Sequence, residues 1–146
     1  MKIEYRNLYT HYVFTVIHRL PLIEEKSRDR IEKYITGIIK NNDCLLYAIY
    51  ANPEHVHFLV SRSPKMSEES LASIIANSSE KFINENKLCK ENFLWQDTAS
   101  AFSVSKTGVE KVCDYIFNQP KHHLKESVDE EYERFKKFYQ KTIRPK

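Results

Sequence analysis

The chain has 146 residues, 41% hydrophobic and 29% charged, enough for one compact core and too little for two ordinary domains. Lys and Arg (23) against Asp and Glu (20) leave a net charge of +3, too small by itself to announce a nucleic-acid-binding surface. Two glycines exclude the glycine-rich phosphate loops of the Walker and Rossmann types. Three scattered cysteines, Cys44, Cys89 and Cys113, with no CxxC pair, argue against a disulfide framework and for a reducing compartment. The longest apolar run, Cys44–Ala51, is far short of a membrane span, and the first residues lack a signal-peptide core. The expectation is a single cytoplasmic domain over residues 1–146.

A first strand is predicted at about Tyr9–His18, rich in β-branched and aromatic residues and closed by Leu20-Pro21. A helix at about Lys26–Asn41 carries Ile31, Ile35, Ile38 and Ile39 at helical spacing. Strands at about Cys44–Ala51 and His55–Ser61 are joined by Asn52-Pro53-Glu54, which predicts an antiparallel hairpin. A second helix, capped by Ser67, has Leu71, Ile74, Ile75, Ser78 and Phe82 as its expected inner stripe. A fourth strand is expected near Ala101–Ser105. A third helix opens on the capping-box pattern Thr107–Glu110 and runs to about Gln119, where Pro120 discourages continuation. A last helix opens on Ser127–Glu130 and carries Val128, Tyr132, Phe135 and Tyr139 on one stripe. The order βαββαβ followed by extra helices predicts an α+β, ferredoxin-like antiparallel sheet. Two helices cover one of its faces. The other is left for the late helices, a partner subunit or a ligand.

Three groups of residues could carry chemistry. In His55-Val-His57 the alternation of a strand sends both imidazoles to one face, roughly 7 Å apart, within reach of one metal ion. Read alone, the same pattern also suits two histidines satisfied by neighbours. Tyr115 and Gln119 are four apart and share a helix face, beside the apolar stripe Val109, Val112 and Ile116. Packing alone would account for that pair too. His122-His123 reads as two solvated histidines; a four-histidine zinc site with His55 and His57 lacks a standard spacing.

Together these motifs resemble the single-tyrosine HUH transposases of bacterial insertion sequences, whose signature is histidine–apolar–histidine followed by a Tyr-x-x-x-Gln helix. Asn52-Pro-Glu-His-Val-His-Phe-Leu-Val, Tyr115-Ile-Phe-Asn-Gln119, Tyr9-Thr-His-Tyr-Val-Phe-Thr-Val, Phe93-Leu-Trp-Gln, Ala101-Phe-Ser-Val-Ser and Gln119-Pro-Lys-His-His123 carry the resemblance over nearly the whole chain. It is nearest to the subgroup associated with repetitive extragenic palindromes. Asp97-Thr-Ala-Ser100 stands where relatives commonly carry a Gly-Tyr-Gly-like segment, and the longer tail of some relatives is missing after Ile143-Arg-Pro-Lys.

The resemblance implies metal-dependent cleavage and rejoining of single-stranded DNA at hairpin-marked ends. Tyr115 is the implied nucleophile of a 5′-phosphotyrosine intermediate. His55, His57 and Gln119 are the implied ligands of Mg²⁺ or Mn²⁺. A homodimer is implied as well, with the tyrosine helix serving its own site or its partner's. The competing expectation is a non-catalytic ferredoxin-like module that holds single-stranded nucleic acid. A weaker one is a zinc hydrolase built on His55, His57 and one of the later histidines. DNA contacts stay unassigned: Arg6, His11, Arg19, Lys65, Lys81, Lys106, Lys121 and Lys125 are basic candidates, and Phe102 and Trp95 are candidate stacking platforms or core residues.

Overall fold

The computed structural model describes residues 1–120 together with Glu130 and Glu133. In chain order it contains β1 (Tyr9–Thr15), α1 (Glu25–Asn41), β2 (Leu45–Ala51), β3 (His55–Ser61), α2 (Glu68–Glu85), β4 (Ser100–Val104) and α3 (Val109–Phe117). The strands form one antiparallel sheet in the order β2-β3-β1-β4. This is the expected α+β, split-βαβ arrangement, with β3 and β1 in the centre. Among the described residues, no helix is long and apolar enough to cross a membrane.

Strand alternation divides the interior in two. Tyr12 and Phe14 of β1 and Val56, Phe58 and Val60 of β3 point to one face. There they meet Ile31, Ile35 and Ile39 of α1 and Leu71, Ile75 and Ile83 of α2. Tyr12 stacks on Phe58, and Phe14 meets both Phe58 and Trp95 edge-on. The opposite face carries Leu59, Ala48 and Val104, which meet Val112 and Ile116 of α3. That second cluster is smaller, and the polar residues of the candidate site lie beside it.

A β-bulge decides what β2 presents. Leu46 pairs with Val60 and Ala48 with Leu59, so Tyr47 is an extra residue on the β2 side. Without it, Leu46 and Ala48 would share a face. With it, Leu46 joins the large core, Ala48 the small one, and Tyr50 comes opposite His57. The apolar run Cys44–Ala51 concealed this switch, because such a run reads the same in either register.

Several boundaries differ from expectation. β1 ends at Thr15, not His18: Val16 leaves the ladder to bridge Trp95, and a 3₁₀ turn at Ile17–Arg19 follows with φ of 54° at both His18 and Arg19. The buried row of α2 is Leu71, Ile75, Ser79 and Ile83. Ile74 is exposed, and Ser78 and Phe82 lie at the margin. Ser79 replaces Ser78 because its hydroxyl accepts a hydrogen bond from the Trp95 indole at 3.0 Å, which draws that side of the helix inward. Ser67 does cap α2, accepting from the Ser70 N–H. The Thr107–Glu110 capping box does not form. Lys106–Gly108 is a 3₁₀ turn, Gly108 is the cap residue, and the Thr107 hydroxyl pairs with Ser105. α3 ends at Phe117, and after Asn118 the chain is helical again at Gln119 and Pro120. Proline is accommodated there because a first helical turn leaves its N–H unbonded anyway. The last predicted helix, from Ser127, lies outside the described residues, as do His122 and His123.

Candidate active site

The site forms where β3 and β1 meet the underside of α3. His55 and His57 alternate with core-facing Val56 and Phe58, so both imidazoles share the α3 face. Both are buried, with ring centroids 4.9 Å apart. Val112 and Ile116 dock α3 on Leu59 and Ala48. That docking brings the Tyr115 ring to 5.6 Å from His57, edge-on, and to 6.3 Å from His11. Tyr115 itself is half-buried.

Each imidazole of the pair has its Nδ1 engaged. For His55 the neighbour is Glu54 Oε1 at 3.1 Å. For His57 it is His11 Nε2 at 3.0 Å. Carboxylates and other polar groups at the far nitrogen of an imidazole are the usual means of fixing a metal-binding histidine.

Gln119 is fully buried, and its amide has two partners. Its Nε2 donates back to the Tyr115 carbonyl at 3.3 Å, closing the end of α3. Its Oε1 accepts from Asn52 Nδ2 at 3.2 Å. Asn52 is buried at the β2–β3 turn, where its own N–H donates to the His55 carbonyl. Gln119 is thus tied to the histidine strand through Asn52.

No group of three or more His, Cys, Asp or Glu side chains placed to hold a metal occurs among the described residues. The available donors are two imidazoles and an amide oxygen with a second lone pair. That set fits a divalent cation that keeps open positions for water and phosphate oxygens. It is poorer than the closed shell of a structural zinc site.

A model of the family described as "Transposase IS200 like" matches residues 4–119, a span that holds the whole sheet and every residue of this constellation. The chain belongs to the IS200-like transposase family. Solved structures repeat the fold at low identity. A candidate transposase from Deinococcus radiodurans R1 superposes with a TM-score of 0.64 at 20% identity, covering 82% of this chain and 98% of that one. A REP-associated tyrosine transposase bound to a REP hairpin gives 0.60 at 18% identity, covering 84% and 74%. No curated protein sequence matches the chain.

Within this transposase fold the residues singled out by sequence divide clearly. His55, His57 and Tyr115 come together directly, and Gln119 joins them by way of Asn52. Trp95 is core, under Phe14 and Phe93, and is no stacking platform. His11 is fully buried against His57, so it is no exposed basic contact. Arg6 reaches the Asp43 carbonyl, Lys81 pairs with Glu85, and Lys65 and Lys106 are exposed. Lys121 and Lys125 lie outside the described residues. Glu54, Asn52 and the partnership of His11 escaped sequence reading. For His11 the signal was its strand parity, opposite to Tyr12 and Phe14. Its meeting with His57 needs the β1–β3 register, which places His11 one diagonal step from His57.

Proposed function

We propose that the chain is a tyrosine transesterase that cleaves and rejoins single-stranded DNA at hairpin-marked ends. One observation carries the reading: Tyr115 stands edge-on to His57, with His55 alongside, where α3 packs on the histidine face of the sheet. In this reading the Tyr115 hydroxyl attacks a backbone phosphorus. The P–O3′ bond breaks, the tyrosine becomes a 5′-phosphotyrosine, and a 3′-hydroxyl leaves after gaining a proton. The ester retains the energy of the broken bond, so a second 3′-hydroxyl can displace the tyrosine and rejoin the strand.

His55, His57 and Gln119 are the residues that would hold Mg²⁺ or Mn²⁺. When bound, such an ion polarises the phosphate and stabilises charge on the leaving oxygen. The protein's own part is orientation. Glu54 and His11 fix the two imidazoles, and the Gln119–Tyr115 backbone bond holds the nucleophile's turn of helix against the strand. An unperturbed tyrosine has a pKa near 10, so only about one in a thousand is ionised at neutral pH, and a nearby cation raises that fraction.

The hairpin bound by the REP-associated relative supports hairpin DNA as the partner class. A homodimer is part of the proposal. Within one chain, α3 already lies over its own histidines, which supports assembly of the site in cis.

The test is a covalent-adduct assay. The protein is mixed with single-stranded oligonucleotides from the DNA flanking its gene, with Mg²⁺ or Mn²⁺, and run on a denaturing gel. The expected result is a retarded species that requires the metal and disappears in Tyr115→Phe. Hairpin binding without an adduct on any flanking strand would overturn the transesterase in favour of a non-catalytic single-strand-binding module.

A further inference from the structure

We infer that His11 is a positioning residue: it accepts a hydrogen bond from His57 Nδ1–H and thereby presents His57 Nε2, with its lone pair, to the cation. The inference rests on the reading of His55 and His57 as cation ligands.

Three observations lead to it. First, His11 is fully buried in a central strand, between Thr10 and Tyr12, and pairs across the ladders with Leu59 and Phe102. An aliphatic side chain at such a position would avoid the cost of burying a polar ring. Second, its Nε2 is 3.0 Å from His57 Nδ1, a pairing of two buried rings on neighbouring strands. Third, the arrangement repeats at His55, whose Nδ1 meets Glu54 Oε1 at 3.1 Å. An ionised carboxylate can only accept, so a neutral His55 carries its proton on Nδ1 and its lone pair on Nε2. Two adjacent imidazoles can bind one ion only if each directs a ring-nitrogen lone pair at it. His11 supplies for His57 the acceptor that Glu54 supplies for His55.

The direction of the His11–His57 bond is the crux. If His57 donates, its Nε2 carries a lone pair and can bind a cation. If His11 donates, the neutral His57 holds its proton on Nε2 and cannot.

The first measurement is the long-range ¹H–¹⁵N spectrum of the histidine rings in the metal-free full chain at pH 8, where imidazoles are largely neutral. The expected result is the Nδ1–H tautomer for His57, shifting toward Nε2–H in His11→Leu. A merely structural histidine would leave that signature unchanged. The second measurement is Mn²⁺ affinity, read by electron paramagnetic resonance in the presence of single-stranded DNA. We expect it to fall 10- to 100-fold in His11→Leu, as is usual for loss of a partner behind a metal ligand. Most of it should return in His11→Gln, whose side-chain oxygen can stand where Nε2 stood.

An Nε2–H tautomer for His57 in the wild-type chain overturns the inference, even if both variants fail to fold. So does unchanged Mn²⁺ affinity in a folded His11→Leu protein. Absence of Mn²⁺ binding in the wild type, or binding that survives His55→Ala, overturns the reading of the histidine pair itself, a result distinct from a failure of His11 alone.

Discussion

The two faces of the sheet are built from one set of strands and do opposite work. The α1–α2 face is mainly aromatic and aliphatic, with Phe14 linking Phe58 to Trp95 and Tyr12 stacked on Phe58. The α3 face mixes a small apolar cluster with buried His11, His55, His57, Asn52 and Gln119. One face concentrates burial free energy. The other spends part of its area on polar groups whose net contribution to stability is small, about 1 kcal/mol per hydrogen bond. The lesson is that strand alternation lets a domain separate stability from chemistry without separating them in sequence: Phe58 lies one residue from His57.

The sharpest way to break this comparison is to truncate each face. Phe58→Ala should lower stability by about 3–5 kcal/mol, read by urea unfolding. Ile116→Ala, on the α3 face, should lower it by about 2–3 kcal/mol, the lower part of the range for such truncations. Hydrogen exchange should quicken first at residues 109–117. Equal losses and uniform exchange would mean that the faces unfold as one unit. Asn52→Ala deletes the donor to Gln119 and should lower stability by roughly 1–2 kcal/mol, with a larger loss of adduct formation than of folded protein. Ser67→Ala removes the α2 cap on the opposite face and should lower stability by about 1 kcal/mol, with adduct formation unchanged per folded molecule.

The smallest effect concerns thiols. Burial, with Glu24 adding to it, pushes the Cys89 thiol up to about 11. Burial also raises Cys113, on α3. A raised thiol pKa means less thiolate at a given pH, so alkylation of Cys89 by iodoacetamide should be slow at pH 8 and accelerate about tenfold per unit up to its pKa. Undocking of α3 in Ile116→Ala should speed the reaction at Cys113 and leave Cys89 unchanged. Acceleration at both would show that the truncation loosens the whole fold.

Much of this was legible in the sequence for physical reasons. Alternation in His55–Ser61 put both histidines on one face, and the isoleucines of α1 marked its buried row. The four-residue spacing of Tyr115 and Gln119 survived the break at Asn118, because the Gln119 side chain folds back on the Tyr115 carbonyl. What stayed hidden depends on register and on long-range partners. The bulge at Tyr47 lies in an apolar run with no period to reveal it. The inward turn at Ser79 depends on an indole sixteen residues away. The meeting of His11 with His57 joins positions 46 apart.

The segment before β4 has one more consequence. The Ile17 N–H bonds to the Leu94 carbonyl, Val16 bridges Trp95, and the Gln96 N–H bonds to the Thr15 carbonyl, after which Ser100 enters the sheet. Asp97, Thr98 and Ala99 are exposed between two anchored ends. A short loop fastened on both sides can change length and composition without shifting what it joins. Residues 97–99 are therefore a natural insertion point: a fluorophore or affinity peptide placed there would ride on the molecule's rim while leaving Trp95 and β4 where they are.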